Sequence, residues 1–129
     1  MTSILLNCMA SVLCLVRDLM DRVKIEGAAS GLNFDLTFVS SMEKFLEKIS
    51  ELVPSVIILD LDLNQHSISI LDSLKGSKKL VNIPKVGFYQ HSNTENANMA
   101  KDSGCDIILR RSVFSERLPG ILKQYAPPA

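Results

Sequence analysis

The sequence predicts an α/β fold, a three-layer α/β/α sandwich on a doubly wound, five-stranded parallel sheet. Three observations predict it. Along the 129 residues the apolar pattern switches repeatedly from short runs to a helical period. Most of the short runs are apolar nearly throughout, as strands covered on both faces are. Strands and helices also alternate, so each strand returns parallel to the last through a right-handed crossover. A chain of this length is the size of one domain and buries roughly two-thirds of its unfolded surface. That domain is expected over 1–125, with 126–129, the "APPA" end, as a tail.

The elements follow in order. "SILLNC" is a short apolar run and reads as the first strand; Val12, Val16, Leu19, Met20 and Val23 then recur at helical spacing until Gly27. "FDLTFVS" alternates as a second strand. Ser40 and Glu43 form a capping box for a second helix with Met42, Phe45, Leu46 and Ile49 on one face. Pro54 ends that helix and opens the third strand, "SVIILDLDLN". Ile68, Leu71 and Leu74 suit a short helix stopped by Gly76, and "PKVGFY" reads as the fourth strand. The next helix starts at a capping box of Ser92 and Glu95 and has a thin apolar face of Ala97, Met99 and Ala100. "CDIILR" is the fifth strand, and Phe114, Leu118, Ile121, Leu122 and Tyr125 line one face of a last helix in which Pro119 falls early enough to be tolerated.

Composition narrows the function. With 14 basic and 14 acidic residues the chain lacks the cationic excess that phosphate-backbone binding relies on, so nucleic acid is not an expected direct partner. The three cysteines, Cys8, Cys14 and Cys105, show no paired spacing and read as free thiols of a reducing compartment, so the protein is expected to be cytoplasmic. The apolar start has no Lys or Arg before it and is too short to span a bilayer; no membrane association is expected.

The third strand ends on Asp60, with Asp62 two residues on. In open parallel sheets, ligands and chemistry sit beyond the carboxyl ends of the strands, near the switch point in strand order. Asp60 therefore stands at the mouth of that crevice.

These residues resemble the receiver domain of two-component response regulators, over essentially the whole chain. "PSVIILDLDLN" is similar to the family's third strand ending in the phospho-accepting aspartate, and "GCDIILRRSVF" to its fifth-strand segment. The resemblance implies the CheY-like, flavodoxin-like strand order 2-1-3-4-5 and places Asp60 at the phosphoacceptor position. Other positions depart from the pattern. Where the family holds Mg²⁺ with an acidic pair after the first strand, the chain is read as having Asn7 and Cys8. Gln90 stands where a Ser or Thr ends the fourth strand, Arg111 matches the fifth-strand Lys, Ser112 the Pro after it, Asn64 a Pro and Ile68 a Gly.

Each departure has a chemical consequence. Mg²⁺ wants hard oxygen ligands, whereas Asn7 offers one neutral amide oxygen and Cys8 is soft, so its binding is expected to be weak or absent. Phosphoryl transfer depends on positioning and on neutralising charge, so self-catalysed phosphorylation is expected to be slow or absent. Arg111 is expected to form a lasting bidentate pair with Asp60, and Gln90 to fill the pocket with its long side chain. Asp60 reads equally as a structural acid of that pair, and Asp62 is expected to face water. His66 and His91 fall in loops at the same end as Cys8, without the spacing of a transition-metal site, so no metal is expected there.

The expected function is that of an atypical (pseudo-)receiver domain in bacterial signalling, a binding module and not an enzyme, acting without phosphorylation and without a cofactor. Its expected partner is a signalling protein or histidine kinase. The resemblance implies a docking face on the fourth helix, fifth strand and fifth helix, with Met99, Ile108, Arg110 and Phe114 expected there; the same face would serve a homodimer. The alternative is a functional receiver accepting phosphate on Asp60 in a phosphorelay. A flavodoxin-like cofactor binder is a further rival, against which stands the lack of a Gly-rich phosphate loop in "NCMAS".

Overall fold

A computed structural model describes residues 10–63 and 65–127. Its elements are β1 (Ala10–Leu15), α1 (Leu19–Ala29), β2 (Phe34–Val39), α2 (Met42–Leu52), β3 (Val56–Asp60), a 3-10 turn (Leu61–Leu63), α3 (Gln65–Lys75), β4 (Lys85–Tyr89), α4 (Thr94–Asp102), β5 (Ile107–Arg110) and α5 (Arg111–Tyr125). The strands are all parallel and lie in the order β2-β1-β3-β4-β5. The predicted three-layer architecture and strand order are those observed.

Alternation along the central strands builds two cores at once, because successive side chains of a strand point to opposite faces. Val12 and Cys14 of β1, Val56 and Ile58 of β3, and Val86 and Phe88 of β4 face α1 and α5, meeting Ile25, Phe114, Leu118 and Leu122. Leu13 and Leu15, and Ile57 and Leu59, face the other way onto Phe45 and Ile49 of α2, Ile70 and Leu71 of α3 and Ala100 of α4. This is why β3 is apolar without interruption until Asp60.

The first strand and helix differ from the sequence expectation. The strand is ASVLCL, not SILLNC, which lies outside the described residues. Val12 is a fully buried strand residue, and Leu19, Met20 and Val23 are exposed at 69%, 61% and 50%. The spacing of these residues imitates a helical stripe, but it joins two elements. What sets the boundary is Asp18, whose side chain accepts from the Met20 and Asp21 N–H groups and caps α1. Register matters for the site: the loop after β1 is Arg17–Asp18, not Asn7–Cys8.

Two capping residues are one position later than expected. Ser41, not Ser40, caps α2, accepting from Lys44 N–H at 3.2 Å. Asn93, not Ser92, opens α4, and its side chain is turned away to Asp62. Val53, at the C-cap of α2, has φ +45°, a left-handed conformation disfavoured for a β-branched residue.

Candidate functional site

The carboxyl ends of β1, β3 and β4 and the start of α5 converge on a cleft of about 510 Å³ lined by Arg17, Asp18, Asp60, Asp62, Leu63, Gln90 and Arg111. Asp60 is placed by β3 and is 4% exposed. Its carbonyl accepts from the buried Ser67 hydroxyl at 2.7 Å, which ties the first turn of α3 to the strand end. Its carboxylate accepts from Asp62 N–H at 2.9 Å, curling the chain into the 3-10 turn. Gly87 of β4 permits that turn: a Cβ there would lie 2.7 Å from Leu61 Cδ1, so the absent side chain makes room for Leu61.

Arg111 is the centre of the charge network. Its Nη1 donates to buried Asp21 of α1, and its Nη2 donates to Asp60 Oδ1 and to Asp62 Oδ2, each at 3.0 Å. The guanidinium lies 4.7 Å from the centroid of the Phe88 ring, and Phe88 in turn stacks on Phe114 with centroids 4.2 Å apart. One cation thus joins α1, β3, the 3-10 turn and α5. The expected pair is therefore corrected: Arg111 does not close bidentately on Asp60 but divides its fork among three carboxylates.

Asp62 and Gln90 are corrected too. Asp62 is turned inward, accepting from Gln90 N–H at 2.9 Å and Asn93 Nδ2 at 2.7 Å as well as from Arg111. The Gln90 side chain is exposed, and it is the residue's backbone N–H that serves the site. Asn7, Cys8 and Asn64 lie outside the described residues.

The network sets the protonation preferences. Burial raises the Asp60 pKa, and the Asp62 N–H and Arg111 offset that only in part. Burial also opposes ionisation of Asp62, but the bonds from Asn93, Gln90 N–H and Arg111 outweigh it and hold its pKa below the usual carboxylate range. Arg111 is opposed by burial and more than compensated by Asp21, Asp62 and Asp60, so its charge is permanent.

Each acid that could face a hard divalent cation here already accepts at least one hydrogen bond. Asp18 caps α1, and Asp21, Asp60 and Asp62 all accept from Arg111. Among the described residues no three His, Cys, Asp or Glu side chains are grouped so as to hold a metal. His66 and His91 are exposed, and His66 lines a neighbouring cleft with Arg17, Asp62, Glu95 and Met99. Cys14 and Cys105 are buried; burial raises both thiols, Cys105 to about 12, which leaves them inert at neutral pH.

Of the expected docking residues, Met99 and Arg110 are exposed and Ile108 is half-buried. Phe114 is fully buried beneath Phe88 and is no partner contact; its position on the inward stripe with Leu118 and Leu122 explains this. Sequence reading missed Asp21 and Asp18. The signal for Asp18 was the arrival of "RD" straight after an apolar run, as acids follow the run of β3.

The architecture is the receiver fold of response regulators. The phosphorylated cyanobacterial phytochrome response regulator RcpA is 20% identical, with a TM-score of 0.73 over 90% of each chain. A response regulator from Hahella chejuensis is 18% identical, with a TM-score of 0.80 over 90% of this chain and 94% of that one. A chemotaxis response regulator of Vibrio cholerae is 16% identical, with a TM-score of 0.77 over 91% and 98%. The likeness is one of fold. No family model and no curated protein matches the sequence.

Proposed function

We propose that the chain acts as an atypical receiver domain, a signalling module that recognises a protein partner without being phosphorylated. The observation that carries this reading is the commitment of Arg111 to Asp21, Asp60 and Asp62 together. A phosphoryl acceptor must present an ionised carboxylate beside a cation that can follow the incoming charge. Here Asp60 is buried and hydrogen-bonded, its ionised form is disfavoured by burial, and the cation is held by two other acids. In this reading the module is not an enzyme, carries no cofactor, and binds Mg²⁺ weakly or not at all. It works in the cytoplasm; no helix among the described residues is long and apolar enough to cross a membrane. A signalling protein or histidine kinase is the partner, read on the exposed side of α4 and β5, where Met99 and Arg110 stand. Homodimers through this face fit the same reading.

Asp18 favours the phospho-accepting alternative, because it restores one acid to the loop after β1; Arg17 beside it repels a cation from the same cleft. The two readings divide on one set of variants. Asp60→Asn is expected to bind partner like wild type, while Met99→Asp and Arg110→Glu weaken binding by changing the apolar area and rim charge that a partner reads. Loss of binding in Asp60→Asn alone, or labelling of Asp60 by a small phosphodonor with Mg²⁺, would establish the alternative.

A further inference from the structure

We infer that the outer edge of β2 pairs antiparallel with β2 of a second copy of the chain, about a two-fold axis at Leu36 that joins the two sheets into one. This surface is separate from the Arg111 network and from the face of α4 and β5. The two edges of the sheet are β2 and β5. β5 has four residues and ends on exposed Arg110, the short and charged form in which an edge resists pairing. β2 has six, FDLTFV, with no lysine, arginine or proline, and its register with β1 runs without a bulge. Such an edge is a template for another strand.

Backbone direction fixes how that strand lies. Ala10 N–H donates to the Asn33 carbonyl and Val16 N–H to the Val39 carbonyl, so the odd-numbered residues of β2 turn their backbone groups toward β1. Successive residues of a strand point these groups to opposite sides, and Phe34, Leu36 and Phe38 therefore turn theirs outward. Among the described residues nothing bonds to them there. A two-fold axis at Leu36 sets Leu36 against the partner's Leu36 and Phe34 against the partner's Phe38, and each of these pairs exchanges both of its N–H···O bonds. Every outward group is then satisfied. On the α1 face the Phe34–Phe38 pairs extend the half-buried apolar row, where Arg22 already lies 4.7 Å from the Phe38 ring centroid. On the other face exposed Asp35 meets the partner's Thr37. Moving the axis to Asp35 would set two carboxylates opposite each other, and moving it to Thr37 would leave Phe34 without a partner. A strand that matches itself in bonds, aromatic rows and charge suits its own copy, and the two-fold closes the assembly at a dimer.

The test uses the full chain. Sedimentation velocity between about 10 µM and 1 mM is expected to show monomer giving way to dimer. Amide exchange should slow with concentration at Phe34, Leu36 and Phe38, whereas Asp35 and Thr37, already turned to β1, keep their monomer rates. Thr37→Asp places a carboxylate against the partner's Asp35, twice by symmetry, and should weaken dimerisation about tenfold; Thr37→Lys places an ammonium there and should strengthen it. Leu36→Pro deletes an outward donor and should abolish the dimer; where that variant does not fold, Thr37→Asp decides. Met99→Asp and Arg110→Glu should leave the association unchanged. A monomer at every concentration overturns the inference, as does weakening by both Thr37 variants. A dimer lost in Met99→Asp or Arg110→Glu, with the β2 amides unprotected, also overturns it and leaves the proposed function standing. Labelling of Asp60 by a phosphodonor would overturn that function without touching the β2 contact.

Discussion

Arg111 meets three acids while 29% of its side chain remains open to solvent, and Asp60 and Asp21 behind it are almost wholly buried. Truncating it strands buried carboxylates, which costs far more than the net worth of the ion pairs. Arg111→Ala is expected to destabilise by about 3 kcal/mol in denaturant titration. In an Asp60→Asn background that loss should shrink by roughly 1 kcal/mol and not vanish, since Asp21 and Asp62 remain; full additivity would show that Arg111 and Asp60 do not interact. A pH prediction follows from Asp62. Its pKa is depressed in the folded state, so its contribution is present above the ordinary carboxylate pKa of about 3.9 and is lost as pH falls through the lower folded value. Asp62→Asn should thus melt below wild type at pH 7, with the gap closing below about pH 4. A gap independent of pH would mean that the carboxylate's charge plays no part. At this scale the sequence pointed to Asp60 as a strand-ending acid and, through the resemblance to receiver domains, to Arg111. Asp21 was hidden, because it sits among exposed residues of α1 and only the distant Arg111 explains its burial.

Each element was legible where its signal was unique. The β3 run ends on an acid and is bounded by Pro54, and the Phe114, Leu118, Leu122 stripe of α5 was visible; that stripe already argued against Phe114 as a docking contact. The first strand was misplaced because the chain offers two adjacent apolar runs, and hydrophobicity alone does not choose between them. Asp18 as a helix cap does choose. Pro54 marked the end of α2, but the left-handed Val53 before it was unreadable, since local propensity disfavours that conformation. The strain there is removable. Val53→Gly is expected to raise stability by about 1 kcal/mol, because glycine adopts φ +45° freely and Val53 is 40% exposed, with little packing to lose. A lower melting temperature in Val53→Gly would indicate that the side chain packs more than its exposure implies.

For the molecule as a whole, the parallel order β2-β1-β3-β4-β5 brings residues far apart in sequence to one end of the sheet. The fold class was readable because alternation of strand and helix leaves few topologies, whereas the partition of three acids around one arginine depends on side-chain placement that no periodicity encodes. The span of that network has a kinetic meaning. Arg111 lies 90 residues from Asp21 and 49 from Asp62, so its bonds require β1, β3, β4 and β5 to be aligned first. Because such long loop closures cost entropy before their bonds repay it, the network is expected to close after the barrier to folding has been crossed. Arg111→Ala should therefore leave the refolding rate nearly unchanged and speed unfolding on the order of a hundredfold in stopped-flow measurements. An equal slowing of refolding would place the network in the folding nucleus. The guanidinium thus acts as a clasp on a finished sheet: it governs how long the native state lasts once formed and has little part in how quickly the chain finds it.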